Sequence, residues 1–310
     1  MRLAIIGQQA FGKSVLEAFL SRGATVAGVF CAPEKHGDKP DPLRVAAEER
    51  GVPVFQLRSL RDDQALHILQ GLNVDLGVMA YVLQFAPQKF LDVPKHGTIQ
   101  YHPSLLPLYR GPSSVNWPII KGDTQTGLTI FRPTDGLDEG PIILQKVVPI
   151  GPDDTLGTVY FDRLFPLGVD ALLEAADLVT AGQCQEVPQR EALASYEGWC
   201  RDAESRINWH AHVDLIYNLI RGCNPAPGAW TTVQGKKVRI YDVIRHRTRT
   251  FGTLPGKPGE VSAIGVKSIE VAAHGGRLEL RTVRLEAGPK IPAGELAAAM
   301  RITVGAALES

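Results

Sequence analysis

Arg2-Leu-Ala-Ile-Ile-Gly7-Gln-Gln-Ala-Phe-Gly12 opens the chain, Lys13-Ser-Val-Leu-Glu-Ala-Phe-Leu20 follows, and after Ser21-Arg-Gly23 comes Val26-Ala-Gly-Val-Phe30. Residues 2–6 read as a short apolar strand and residues 7–12 as a turn. Residues 13–20 have the spacing of an amphipathic helix, and residues 26–30 read as a second strand. Strand, helix, strand in this order is a βαβ unit, which implies a parallel sheet covered by helices. The alternation continues outward through a helix at 43–50, a strand at 52–55, a helix at 62–71 and strands at 76–80 and 97–101. An open α/β domain over residues 1–190 is the expected result.

Beyond it the pattern changes. Around residues 179–196 it loosens into Gly182-Gln-Cys-Gln185 and Pro188-Gln-Arg190, and a linker is placed at 191–205. Residues 213–221 read as a helix with Val213, Ile216, Tyr217 and Ile220 on one face. Short apolar stretches at 230–233, 237–243, 259–264, 268–272 and 277–285 alternate with turn residues. They predict a smaller antiparallel β-barrel over residues 206–310.

Composition narrows the function classes. The 310 residues are 44% hydrophobic and 21% charged, enough for a substantial core, and Lys plus Arg equal Asp plus Glu at 33 each. No net field gathers polyanions, so nucleic acid is not expected as a partner. The locally basic stretch from Lys236-Lys237-Val-Arg239 to Arg245-His246-Arg247-Thr-Arg249 reads as solvated strand and loop surface. Cys31, Cys184, Cys200 and Cys223 show neither CxxC pairing nor zinc spacing and read as packing thiols of a reducing compartment. The amino terminus lacks a leader pattern and no apolar run is long enough to span a bilayer, so a cytoplasmic protein is expected.

Two motifs compete for the chemistry. Gly7-Gln-Gln-Ala-Phe-Gly12 lacks the middle glycine of a dinucleotide fingerprint, and the second strand runs into Cys31-Ala-Pro33 without an acidic residue. A tight strand-to-helix turn is the better reading. The stronger motif is Gln100-Tyr-His102-Pro-Ser104-Leu-Leu-Pro107 together with Asp138 in Asp135-Gly-Leu-Asp-Glu-Gly-Pro141. Histidine moves protons near neutrality, a carboxylate beside it holds the imidazolium, and an amide donor answers negative charge on a carbonyl oxygen. These loops follow successive strands at the carboxyl edge of the sheet, where ligands collect. Ser104 lacks a nucleophile-elbow context. His96, His210, His212, His246 and His274 have no acidic or nucleophilic partner by spacing, and no metal site is expected.

His102-Pro-Ser-Leu-Leu-Pro107, Arg110-Gly111, Asn116-Trp117 and Leu137-Asp-Glu-Gly-Pro141 resemble the 10-formyltetrahydrofolate-dependent formyltransferase family. The likeness extends over nearly the whole chain, through Leu164-Phe-Pro166, Ile207-Asn-Trp209 and Pro227-Gly-Ala-Trp-Thr231, and is greatest to the hydrolase domain of 10-formyltetrahydrofolate dehydrogenase. The resemblance implies a Rossmann-like open parallel sheet with an OB-like carboxyl-terminal barrel. It also implies 10-formyltetrahydrofolate as formyl donor, without a metal, and places catalysis on His102 and Asp138. Donor binding would fall to Tyr81, Val82, Leu83, Gln84, Phe85 and Ala86 on one loop, Ser104, Leu105, Leu106 and Pro107 on a second, and Asp135, Gly136 and Leu137 on a third.

Gln100 departs from the pattern. Transferases of the family carry asparagine there and the dehydrogenase-type domain an apolar residue, whereas this chain keeps an amide one methylene longer. The expected activity is therefore formyl transfer to a small amine, which also fits a chain without an attached dehydrogenase domain. Hydrolysis to formate comes second, methionyl-tRNA formylation third, and a non-catalytic folate sensor is the reading from another class.

Overall fold

The computed structural model describes residues 1–248 and 256–309. Of the basic stretch read above, Arg249 lies outside the described residues.

The first half alternates as β1 (Arg2–Gly7), α1 (Gln9–Ser21), β2 (Thr25–Cys31), α2 (Pro42–Glu49), β3 (Val54–Gln56), α3 (Asp63–Gly71), β4 (Leu76–Ala80), α4 (Gln88–Leu91) and β5 (Thr98–His102). Then come α5 (Asn116–Lys121), β6 (Gln125–Phe131), β7 (Ile142–Pro149), α6 (Leu156–Val159) and α7 (Phe165–Thr180). The rest of the chain forms α8 (Val213–Gly222), β8 (Ala229–Val233), β9 (Lys236–Arg247), β10 (Val261–Ile264), β11 (Ile269–Ala273), β12 (Gly276–Leu285), β13 (Lys290–Pro292) and α9 (Ala293–Met300).

The chain divides into two compact units. Met1–Gly111, Gly127–Val148 and Phe161–Tyr196 form the first; Pro112–Thr126, Pro149–Tyr160 and the chain from Glu197 onward form the second.

Seven strands make the large sheet, in the order β3-β2-β1-β4-β5-β6-β7. The chain leaves β1 toward β2 and β3, then returns to build β4 and β5 on the other side, the Rossmann-like arrangement that opens a crevice where the direction of winding switches. Every residue of β4 is buried, which explains why Leu76-Gly-Val-Met-Ala80 reads as a continuous apolar run. The approach of β1 to β4 dictates Gly7, because a Cβ there would lie 2.0 Å from the Ala80 carbonyl oxygen. That glycine serves strand packing, in accord with the tight-turn reading.

The sheet is mixed, a correction to the expected parallel one. Pairing is parallel from β3 through β5, but β6 runs antiparallel to β5, with Gln100, Tyr101 and His102 opposite Phe131, Ile130 and Thr129. Apolar alternation records which face a residue takes and not which way its strand runs. Helix α2 shows local rules at work: Pro42 takes the first turn, and the Asp41 carboxylate accepts the Leu43 N–H at 2.9 Å.

In the second unit, Val213, Ile216, Tyr217 and Ile220 of α8 are buried with Trp209, whose indole N–H donates to Thr231 Oγ1 at 3.0 Å. The sheet is antiparallel and six-stranded, ordered β10-β11-β12-β9-β8 with β13 paired to β12. Among the described residues it is not the closed barrel expected, for β10 and β8 remain its two ends. Isolated bridges from Ala307 to Glu260 and from Glu309 to Thr232 are the pairings that the carboxyl-terminal segment makes there. The basic stretch is neutralised locally, since Lys237 and Arg239 each reach Asp202 at 2.6 Å, and Arg245 and Arg247 reach Asp214 at 2.8 Å. No helix among the described residues is long and apolar enough to cross a membrane.

Candidate active site

Strand β5 carries the candidate site in the first unit. Gln100 and His102 are two residues apart and share one face of the strand, while Tyr101 turns to the other face and stacks on Phe11 at 4.4 Å between ring centroids. His102 is enclosed at 6% exposure. Its Nε2 lies 2.9 Å from the Tyr109 carbonyl oxygen, which can only accept, so Nε2 carries a hydrogen. Its Nδ1 lies 3.6 Å from Asp138 Oδ2, an ion-pair separation rather than a formed hydrogen bond.

Asp138 is 8% exposed and is held from two sides. The Gly111 N–H donates to its Oδ2 at 2.9 Å, and the Gln189 amide donates at 2.8 Å to both the Asp138 and Gly140 carbonyl oxygens. The Gln189 oxygen accepts from Arg110, whose guanidinium also makes two 2.8 Å bonds to Glu191. The Glu191 carboxylate holds the Arg110 charge, raising its already high pKa. Sequence reasoning missed this brace, since Pro188-Gln-Arg190 lies where the apolar pattern loosens and carries no motif.

Backbone strain collects here. Asp138 and Tyr109 take φ of +55° and +58°, a left-handed conformation that non-glycine residues avoid and that their surroundings must enforce. In the same loop Gly140 is required, for a Cβ there would stand 1.6 Å from the Arg132 carbonyl oxygen.

The other predicted residues divide into two groups. Tyr81, Leu83 and Phe85 are exposed apolar side chains on the loop after β4, and Tyr81 is left-handed at φ +61°. Val82 is half-buried and Ala86 buried, while the Gln84 amide is turned to the Leu57 carbonyl oxygen at 2.8 Å. The Gln88 N–H donates to Asp135 Oδ1 at 2.9 Å, tying this loop to the one that holds Gly136, exposed Leu137 and Asp138. Residues 103–111 behave differently. Ser104 is fully buried, and its hydroxyl donates to the Leu108 carbonyl oxygen at 2.6 Å. Leu106 is buried too, its N–H bound to Thr129 Oγ1, and Leu105 and Pro107 are half-buried. Asn116 and Trp117 belong to the second unit, where Asn116 donates to the Gly222 carbonyl oxygen and Trp117 to that of Gly198, each at 2.9 Å.

Among the described residues no grouping of three or more His, Cys, Asp or Glu side chains is placed to hold a metal ion. The Gln100 amide makes no hydrogen bond to a described residue, and neither does Asp138 Oδ1. One neutral donor and one anionic acceptor thus stand unengaged beside a buried imidazole. That set can stabilise charge on an oxygen and remove a proton from an attacking group.

Residues 1–175 match the formyl transferase family, and residues 200–301 match the formyl transferase carboxyl-terminal domain. Mitochondrial 10-formyltetrahydrofolate dehydrogenase of Homo sapiens is 37% identical over 309 residues, covering 95% of this chain and 33% of its own length. The chain thus spans about a third of that relative. Methionyl-tRNA formyltransferase of Geotalea uraniireducens (strain Rf4) is 35% identical over 313 residues, covering 99% of this chain and 98% of its own. HypX from Aquifex aeolicus, solved in complex with tetrahydrofolic acid, shares the fold at a TM-score of 0.67 and 19% identity, over 98% of this chain and 48% of that one. With a family model over more than half of its length and a relative matched from end to end, the chain belongs to the formyl transferase family.

Proposed function

We propose that the protein transfers the formyl group of 10-formyltetrahydrofolate to a small amine. The observation that carries this reading is the buried His102 and Asp138 pair, set beside a Gln100 amide that bonds no described residue and lies on the same strand face as His102. A folate donor suits the adjoining surface, where Tyr81, Leu83, Phe85 and Leu137 offer exposed apolar contacts for a flat ring.

Gln100 donates its amide hydrogen to the formyl oxygen as negative charge gathers there. His102, its Nε2 hydrogen tied to Tyr109, carries a second hydrogen at Nδ1 and adds positive charge beside the same oxygen. Asp138 faces that charge through Oδ2 and takes a proton from the attacking amine at Oδ1. A new carbon–nitrogen bond forms, the bond to the folate nitrogen breaks, and Asp138 returns the proton to that departing nitrogen. The left-handed backbone at Asp138 and the hydrogen bond from Gly111 hold the carboxylate for this exchange.

Hydrolysis is the second reading, favoured by the likeness to 10-formyltetrahydrofolate dehydrogenase. The same steps then apply with water as the attacking group and formate as product. Transfer to initiator tRNA is disfavoured by the neutralisation of Lys237, Arg239, Arg245 and Arg247 by Asp202 and Asp214. We place the activity in the cytoplasm, a compartment that keeps thiols such as those of Cys31, Cys184, Cys200 and Cys223 reduced.

Mixing the protein with 10-formyltetrahydrofolate, first alone and then with a pool of amines, tests the assignment. Tetrahydrofolate released only with the amines supports transfer, and formate released without them supports hydrolysis. Binding without turnover under either condition refutes both and leaves a folate sensor.

A further inference from the structure

Two of the four thiols lie together. Cys200 sits on irregular backbone and Cys223 closes α8; both are buried, and their Sγ atoms are 3.8 Å apart. The backbone around each is anchored, Cys200 by its N–H on Ser113 Oγ at 2.9 Å and Cys223 by its N–H on the Leu219 carbonyl oxygen at 3.0 Å. Trp117 steadies the approach to Cys200 through the Gly198 carbonyl oxygen. Closing the gap by about 1.8 Å brings the two sulfurs to the disulfide length of about 2.05 Å. Twenty-three positions separate the two residues, and no sequence spacing rule pairs them.

We propose that Cys200 and Cys223 form a site of reversible oxidation, closing to an intramolecular disulfide when a hydroperoxide reaches Cys200. The inference is independent of the reaction performed in the first unit. Exposure sets the order of events, as Cys200 is 7% accessible and Cys223 fully enclosed. The hydrogen bond between the two sulfurs acts in the same direction, holding the Cys200 thiol below its ordinary range and, with burial, pushing Cys223 far up.

The chemistry balances with the hydroperoxide as oxidant. The Cys200 thiolate attacks the terminal peroxide oxygen, the O–O bond breaks, and water or the corresponding alcohol leaves with Cys200 as its sulfenic acid. Cys223 then gives up its proton and attacks the Cys200 sulfur. The S–S bond forms, the S–O bond breaks, and water leaves. Together the thiols lose two hydrogens and two electrons, which the peroxide takes up. The resulting cross-link ties the segment before Ile207 to the end of α8 and removes freedom from the unfolded chain.

The test uses the full reduced chain, exposed to hydrogen peroxide and digested without reductant for mass spectrometry. The expected product joins the Cys200 and Cys223 peptides, is two hydrogens lighter than their sum, and is released by dithiothreitol. In the Cys223→Ser protein, dimedone should trap a sulfenic acid at Cys200. In the Cys200→Ser protein, Cys223 should stay unlabelled. Absence of the linked peptide from the unsubstituted chain under conditions that oxidise the half-buried Cys184 overturns the proposal, as does dimedone labelling of Cys223 in Cys200→Ser. The first measurement needs no variant to fold.

Discussion

The loops that follow β4 and β5 leave the same edge of one sheet and are built in opposite ways. Residues 103–111, after β5, are pinned inward by hydrogen bonds, with Leu108 alone of their apolar side chains exposed: Ser104 bonds Leu108, Leu106 bonds Thr129, the Tyr109 N–H donates to Ser195 Oγ, and the Tyr109 carbonyl faces His102. Residues 81–87, after β4, turn Tyr81, Leu83 and Phe85 outward. In the proposed reaction, the inward loop fixes the atoms that react. An outward one offers apolar area that becomes favourable only when something covers it. Transition-state stabilisation and ground-state binding are therefore expected to separate by loop, and substitutions on the two sides should separate kcat from KM.

Asp138→Asn breaks the fixed side most severely. The amide keeps its size but cannot take a proton, so turnover should fall by about 10²–10⁴-fold while tetrahydrofolate affinity stays within about twofold. Single-turnover formyl transfer and a folate titration check both halves, and near-normal turnover would remove Asp138 from the chemistry. Gln100→Leu comes next, with an expected loss of about 10²–10³-fold in kcat, the usual consequence of deleting one oxyanion donor. Gln100→Asn keeps the donor and shortens its reach. If that variant leaves the rate and the ratio of transfer to hydrolysis unchanged, Gln100 has no part in stabilising the oxyanion.

How much of this was legible in the sequence depends on which physical signal each part carries. The βαβ opening was readable because strand and helix have different apolar periods, and α8 because Val213, Ile216, Tyr217 and Ile220 recur at helical spacing. Strand direction has no such signature, so the sheet was expected to be parallel and is mixed, with β6 antiparallel to β5. Barrel closure is a relation between the two end strands, which strand composition does not encode. His102 and Asp138 stood out by residue type among glycines and prolines. Gln189 did not, because a glutamine in a polar stretch looks like any loop residue until its bonds to Asp138 and Gly140, about fifty positions away, are seen. The contact of Cys200 with Cys223 was hidden for the same reason.

Gln189 sharpens the comparison because it reaches the fixed side from outside both loops. In Gln189→Ala the Asp138 and Gly140 carbonyl oxygens lose their shared donor, and Arg110 loses one of its acceptors. The carboxylate should drift by a fraction of an ångström, and kcat should fall by about tenfold to 10²-fold with KM for the folate unchanged. Gln189→Glu keeps the acceptor for Arg110 and removes both donated bonds. A matching loss in that variant would assign the effect to Asp138 rather than to Arg110, and a parallel fall in thermal stability without any kinetic change would make Gln189 merely structural.

The smallest effect is expected on the outward loop, and it should take the other form. Leu83 is 59% exposed, so truncating it removes little from the folded core. Covering the side chain with a ligand recovers about 1.5 kcal/mol or somewhat less, which places the Leu83→Ala penalty at about fivefold to tenfold in KM for 10-formyltetrahydrofolate. Maximal turnover should remain within about twofold, because no reacting atom depends on Leu83. Were Leu83→Ala instead to lower kcat with KM unchanged, the outward loop would contribute to the transition state, and the division of labour between the two loops would fail.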